Sequence, residues 1–197
     1  MIPSKWSDIT IKQFYNLREA MAMDWTDDTE RVIAYLSALT GKPMTYFSDE
    51  ISVLELRKAI GKIQFLTRPK PEIKIRPTYK IGKKRFAVDL VLRDSAASQF
   101  IDLSTLAKEK ENVKYEDVLA VFFYETNWLG FRKKRTLNSQ KEIAEYLLNN
   151  CTMDVVFAYS SFFLRSYQRL LKGTEDFLVL KTKKAKKMLQ KVLDHPL

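Results

Sequence analysis

The chain has 197 residues, 46% of them hydrophobic and 12% aromatic, which is enough apolar surface to bury a real core and excludes a disordered polymer. No run approaches the roughly 20 uncharged residues that cross a bilayer, and the opening MIPSKWSDIT lacks the apolar core of a signal peptide, so no membrane partner is expected. The net charge of +10 is uneven, +2 over residues 1–130 and +8 over 131–197, and such asymmetry suggests a polyanionic neighbour, either nucleic acid or an acidic protein surface.

Taken in order, Ser7-Asp8-Ile9-Thr10 precedes the apolar positions Ile11, Phe14, Tyr15 and Leu17, which predicts a short amphipathic helix capped by Asp8 or Thr10, with Trp6 packing back on its first turn. Thr26-Asp27-Asp28-Thr29-Glu30 opens a second helix with an acidic first turn and the face Val32, Ile33, Leu36, Leu39, stopped by Gly41 and Pro43. Ser48 is the expected cap of a third helix whose apolar positions run through Ile51, Leu54, Leu56, Ile60 and Ile63 to Leu66. Thr67-Arg68-Pro69 ends it, because the residue before a proline is pushed out of the helical region.

Residues 69–92 alternate as strands. Gly82-Lys83 reads as the centre of a type II′ turn, which sets Ile81 opposite Lys84, Tyr79 opposite Phe86 and Pro77 opposite Val88. One face then carries Ile73, Ile75, Tyr79, Phe86 and Val88, the other Lys74, Arg76, Lys80 and Arg85. Pro77 falls at a hydrogen-bonded position without an N–H to give, so a bulge or an early end to pairing is expected there. Residues 95–103 read as helix before the polar loop KEKEN, and Tyr115–Tyr124 as a buried helix. The loop 125–138 follows. Ser139 then caps Gln140–Asn149, and an aromatic helix runs from about Thr152 to Leu171 up to Gly173. The last segment, 174–193, is a lysine-rich helix with a narrow apolar strip.

The fold class is therefore mainly α with a β-hairpin (α+β). Two helical lobes, 1–68 and 93–173, flank a projecting hairpin at 69–92, and a basic tail helix occupies 174–197.

Enzyme chemistry finds little to work with. The only histidine is His195, beside Pro196; Cys151 begins a helix with no histidine near it in sequence; and Asp24, Asp27, Asp28 and Glu30 lack the glycine turn of a calcium loop. Five glycines form no phosphate-binding loop or dinucleotide fingerprint. No catalytic residue, metal site or cofactor is expected. The residues suited to phosphate or to an acidic partner are Lys83, Lys84 and Arg85 in the hairpin, Arg132, Lys133, Lys134 and Arg135 in the loop, and Lys183, Lys184, Lys186 and Lys187 in the tail, with Tyr79 or Phe131 as stacking surfaces.

Four short stretches carry a likeness: Trp6-Ser7-Asp8-Ile9-Thr10-Ile11-Lys12-Gln13-Phe14, Ile33-Ala34-Tyr35-Leu36-Ser37, Ile63-Gln64-Phe65-Leu66 and Ser98-Gln99-Phe100-Ile101-Asp102. Over residues 5–170 the chain resembles small virion-module proteins of tailed bacteriophages of gut bacteria, including crAss-like phages, described as tail-assembly chaperones or structural proteins. The resemblance implies a non-enzymatic part that works through contacts with copies of itself and with other phage structural proteins, in the virion or in the host cytoplasm during assembly. The alternative is a basic nucleic-acid-binding protein that contacts the phosphate backbone through the hairpin, the 131–135 loop and the lysine helix.

Overall fold

A computed structural model describes residues 1–69, 73–88, 114–133, 137–159 and 162. The chain divides after Tyr159 into two compact units, and all the described residues except Phe162 belong to the first, Met1–Tyr159. The expected helices at 95–103 and 174–193 lie outside the described residues, as does the aromatic helix beyond 159 apart from Phe162. The described part is mainly helical with one small antiparallel sheet. None of its helices is long and apolar enough to cross a membrane.

Helix α1 spans Ile11–Ala22 and is started by a capping box: the Thr10 side chain accepts from the Gln13 N–H, and the Gln13 side chain accepts from the Thr10 N–H. Of the two expected caps, Thr10 is the one used. Gln13 also donates to the Leu39 carbonyl at 2.6 Å, tying the start of α1 to the end of α2. Helix α2, Asp28–Thr40, begins at Asp27, whose carboxylate accepts from Thr29, and ends at Gly41 in the left-handed conformation with φ 71°. That conformation is open to glycine without strain. The acidic cluster thus resolves into a cap and a first turn, with Asp28 paired to Arg31 at 2.8 Å.

Helix α3 is Val53–Ile63, continued by a tight turn at Gln64–Thr67, and its cap is Ser52, which forms a second capping box with Glu55. Ser48 instead lies within a wide turn, Tyr46–Glu50. The shift has a simple cause: Ser52 has Glu three residues on and Ser48 has Ile51, so only Ser52 can satisfy two orphan N–H groups at once. It also moves Val53 and Leu54 into the first turn, where both are largely exposed, while Ala59 and Ile63 face inward.

The hairpin has the expected register. Strand β1, Thr78–Ile81, pairs with β2, Lys84–Val88, through Thr78 with Ala87, Tyr79 with Phe86, Lys80 with Arg85 and Ile81 with Lys84. Gly82 has φ 54° and Lys83 is not left-handed, the combination a type II′ turn requires. Pairing ends at Thr78, with Pro77 contributing only its carbonyl, which accepts from Val88 at 2.9 Å. Instead of standing clear, the turn sits on the helix Leu137–Asn150, whose Tyr146 hydroxyl accepts from the Lys83 N–H at 2.9 Å and donates to the Ile81 carbonyl at 3.1 Å.

Helix α4, Tyr115–Phe122, stops before the expected Tyr124, and the chain passes directly into strand β3, Phe123–Thr126, which pairs with the free edge of β2. The sheet order is β1-β2-β3. The run Val121-Phe122-Phe123-Tyr124 is as apt for strand as for helix, and an edge lined by Phe86 and Val88 decides for strand. Helix α5, Leu137–Asn150, starts two residues before Ser139, the expected cap position. Its Ile143, Ala144 and Leu147 are buried. Helix α6 begins at Met153 and is described to 159.

One further contact closes the core. Ile11 N–H donates to the Cys151 carbonyl at 3.0 Å and Met153 N–H to the Ile9 carbonyl at 2.8 Å, an antiparallel bridge centred on Thr10 and Thr152. Ile9, Ile11, Cys151 and Met153 are all completely buried around it. Trp6 packs edge-on against Phe14, Phe65 and Phe157, with ring centres 6.2, 5.3 and 5.0 Å away.

Candidate interaction surfaces

Side chains alternate across a sheet, so the register sorts the basic residues onto two faces. On the inner face Phe86, Val88 and Phe123 are buried, and Tyr79, Phe123 and Tyr159 form an aromatic cluster with ring centres 5.1 to 6.0 Å apart. Tyr159 is pushed above the ordinary phenol range, first by burial and then by its neighbour Tyr79, and its hydroxyl donates to the Arg76 carbonyl at 2.6 Å. Tyr79 itself thus turns towards the core and is half-buried there.

Lys84 lies at the rim of this inner face, opposite Ile81 and beside Glu125, which pairs across the sheet with Phe86. Its ammonium bonds Glu125 Oε2 at 3.0 Å and sits 4.7 Å from the centre of the Tyr146 ring. Lys133 holds the other carboxylate oxygen of Glu125. Burial alone would raise the Glu125 carboxyl, but the hydrogen bonds and charges of Lys133 and Lys84 outweigh it and hold the group below its ordinary range. Together with Tyr124, Ser139, Glu142 and Ile143 these three line a cavity of about 200 Å³. Two ammonium groups clamped on one carboxylate form a structural ion-pair cluster. Their charge is partly spent, so Lys84 and Lys133 are poorer ligands for an outside anion than an unpaired cation is.

The outer face differs. Lys80 pairs with Arg85, Arg85 with Thr126, and Thr126 with Arg132, so three cations stand in one row across the sheet. All three are exposed. The Arg132 guanidinium lies 4.6 Å from the centre of the Tyr124 ring, on the same face. Lys83 is exposed at the turn, displaced from the row. Lys134, Arg135, Lys183, Lys184, Lys186 and Lys187 lie outside the described residues. Thus two of the sequence-predicted cations, Arg85 and Arg132, are brought into one row with Lys80, and two others, Lys84 and Lys133, are drawn together on Glu125.

Beyond β3 the chain makes a tight excursion from Asn127 to Phe131. Asn127 N–H donates to the Phe131 carbonyl at 2.9 Å, Gly130 N–H to the Asn127 carbonyl at 3.0 Å, and Phe131 N–H to Asn127 Oδ1 at 2.9 Å. Gly130 takes φ 86°, which the closure of the loop demands. This framework holds Trp128, Leu129 and Phe131 in solvent, at 82, 57 and 68% exposure. Of the three, the sequence pattern points only to Phe131; the signal that marks the whole tip is the pair Asn127 and Gly130, turn residues bracketing Trp128 and Leu129.

Among the described residues, two further chemically capable groups, Cys151 and Glu116, are buried. Burial, with Asp154 nearby, pushes the Cys151 thiol far up from its ordinary value, and the residue is completely buried. Glu116, 6% exposed, accepts from the Tyr15 hydroxyl at 2.7 Å, and the same hydroxyl accepts from the Tyr115 N–H at 2.8 Å. Burial and that bond to Glu116 raise Tyr15 well above the phenol range. No protein-family model, curated protein or solved structure matches this chain.

Proposed function

We propose that this protein is a non-enzymatic building or assembly part of a tailed bacteriophage particle. In this reading it docks on copies of itself and on other particle proteins in the virion or in the host cytoplasm during assembly. The observation that supports docking is the tip at 127–131. A chain gains nothing by holding a tryptophan, a leucine and a phenylalanine in water on a hydrogen-bonded frame, whereas exposed apolar patches mark docking sites and tryptophan is among the residues that dominate protein interfaces. The phage setting is supported by the sequence resemblance over residues 5–170.

Two measurements test it. Size-exclusion chromatography with light scattering, on the wild-type protein and on a Trp128→Ala/Phe131→Ala variant, is expected to show a higher assembly that the variant loses by about 30-fold or more in affinity, the scale of an interface anchor. Mass spectrometry of purified, nuclease-treated particles is expected to find the chain among their proteins, or bound to one of them in infected-cell extract. A strict monomer found in neither setting overturns the proposal.

A further inference from the structure

Among the described residues, the large apolar side chains left in solvent are Met1, the pair Met21 and Met23 at 50 and 58% exposure, the pair Val53 and Leu54, and the tip Trp128, Leu129 and Phe131. Met21 lies in the last turn of α1, and Met23 opens the connection to α2. Trp25 holds that connection in place: its indole N–H donates at 2.7 Å to the Ala20 carbonyl, one of those a helix end leaves without an N–H partner. The surroundings are acidic. Residues 21–31 hold Asp24, Asp27, Asp28 and Glu30 against one base, Arg31, a formal charge of −3, and neither Asp24 nor Glu30 has an ion pair among the described residues.

The tip has the opposite setting. Strand β3 leaves the sheet at Thr126, opposite Arg85, so the tip and the Gly82-Lys83 turn lie at the same end of the sheet. Residues 77–88 and 123–133 carry six bases and one acid, Glu125, a formal charge of +5 that already counts the ion pairs made on that acid. We infer that the tip of one copy docks on the α1–α2 connection of the next, with Trp128 and Phe131 against Met21 and Met23 and the basic sheet end facing the carboxylates. The inference rests on the docking reading and names its partner surface. A tip-on-tip pairing would set +5 against +5, and like charge brought together across an interface is repelled. The start of α3 is the other exposed apolar pair, but residues 49–58 hold three acids and two bases, which leaves little field to favour it. Methionine is flexible and polarizable and its sulfur packs well on aromatic rings, so two methionines can shape themselves to an indole and a phenyl ring. Because the two faces differ, each docked copy still offers one of them, and copies add head to tail into a ring or an open chain.

Light scattering after size exclusion, on the full chain at rising concentration, tests it with three variants. These are the tip variant Trp128→Ala/Phe131→Ala, the turn variant Met21→Ser/Met23→Ser/Asp24→Lys, and the control Val53→Ser/Leu54→Ser. The wild type is expected to pass beyond a dimer, the tip and turn variants each to assemble at least about 10-fold more weakly, and the control to stay within about twofold of wild type. Mixed in equal amounts, the tip and turn variants are expected to form a one-to-one dimer and stop there, since between them they hold one intact pair of faces. That dimer also shows that both are folded. It is expected to weaken about 10-fold between 50 and 500 mM salt. A turn variant that assembles as wild type does, a wild type that stops at a dimer, or a variant mixture that stays monomeric overturns the inference and leaves docking through the tip standing with another partner surface. A wild type monomeric throughout overturns both. The single exposed change Asp24→Lys gives a second readout: several-fold weaker assembly at an unchanged thermal midpoint is expected, and unchanged assembly counts against the acidic connection as the receiving face.

Discussion

At Gly82 two constraints fall on one Cα. The residue has φ 54°, and a β-carbon there would lie 2.7 Å from the Tyr146 hydroxyl and 3.1 Å from Asn150 Oδ1. Gly82→Ala is therefore expected to cost about 1–3 kcal/mol in urea unfolding. Tyr146→Phe, which removes the bonds to Lys83 and Ile81, is expected to cost about 1–2 kcal/mol. Tyr15→Phe strands both the Glu116 carboxylate and the Tyr115 N–H, and about 1.5–3 kcal/mol is expected from the loss of the charged partner's bond. Cys151 is expected to resist thiol reagents at neutral pH in the folded protein and to react only in denaturant; rapid native labelling would contradict its burial. For Glu125 the sign follows from its lowered folded value: the ionised form is favoured by folding. Its contribution is thus full above the ordinary carboxyl value near 4.3 and is lost as pH falls through the lower folded value. Glu125→Gln should flatten the acid limb of the stability curve and leave the alkaline limb unchanged.

The elements divide by how local their causes are. The helices at 11–22 and 28–40, the hairpin register and the end at Arg68 were legible, because each is set by residues within four or five positions: Thr10 with Gln13, Asp27 with Thr29, Gly82 in its turn, and Pro69. The third strand was not. Phe123 and Tyr124 continue an apolar run with no break before them, and what makes them strand is an edge of β2 about 40 residues away in sequence. The same holds for the candidate surface. Arg85 and Arg132 were visible as cations, but their alignment through Thr126, and the loss of Lys84 and Lys133 to Glu125, follow from β3 alone. At this scale the box at Ser52 is the clean test: Ser52→Ala is expected to cost about 1 kcal/mol, measured by chemical denaturation, and Ser48→Ala to cost much less.

Over the whole described unit, the bridge between residues 9–11 and 151–153 ties the start of α1 to the start of α6. Ile9→Ala is expected to cost about 2–5 kcal/mol, since the side chain is completely buried and the site is pinned on both sides by backbone bonds that limit collapse. Such a contact raises the mean sequence separation of the core, so refolding should be slower than for a helical bundle of similar length. Its partners also emerge from the ribosome far apart in time. At about 5–20 residues per second, Ile9 and Ile11 wait roughly 7–28 s for Cys151 and Met153 to be made. For that interval the nascent amino terminus carries an uncovered isoleucine pair and tryptophan, a ready target for whatever receives new chains in the cell.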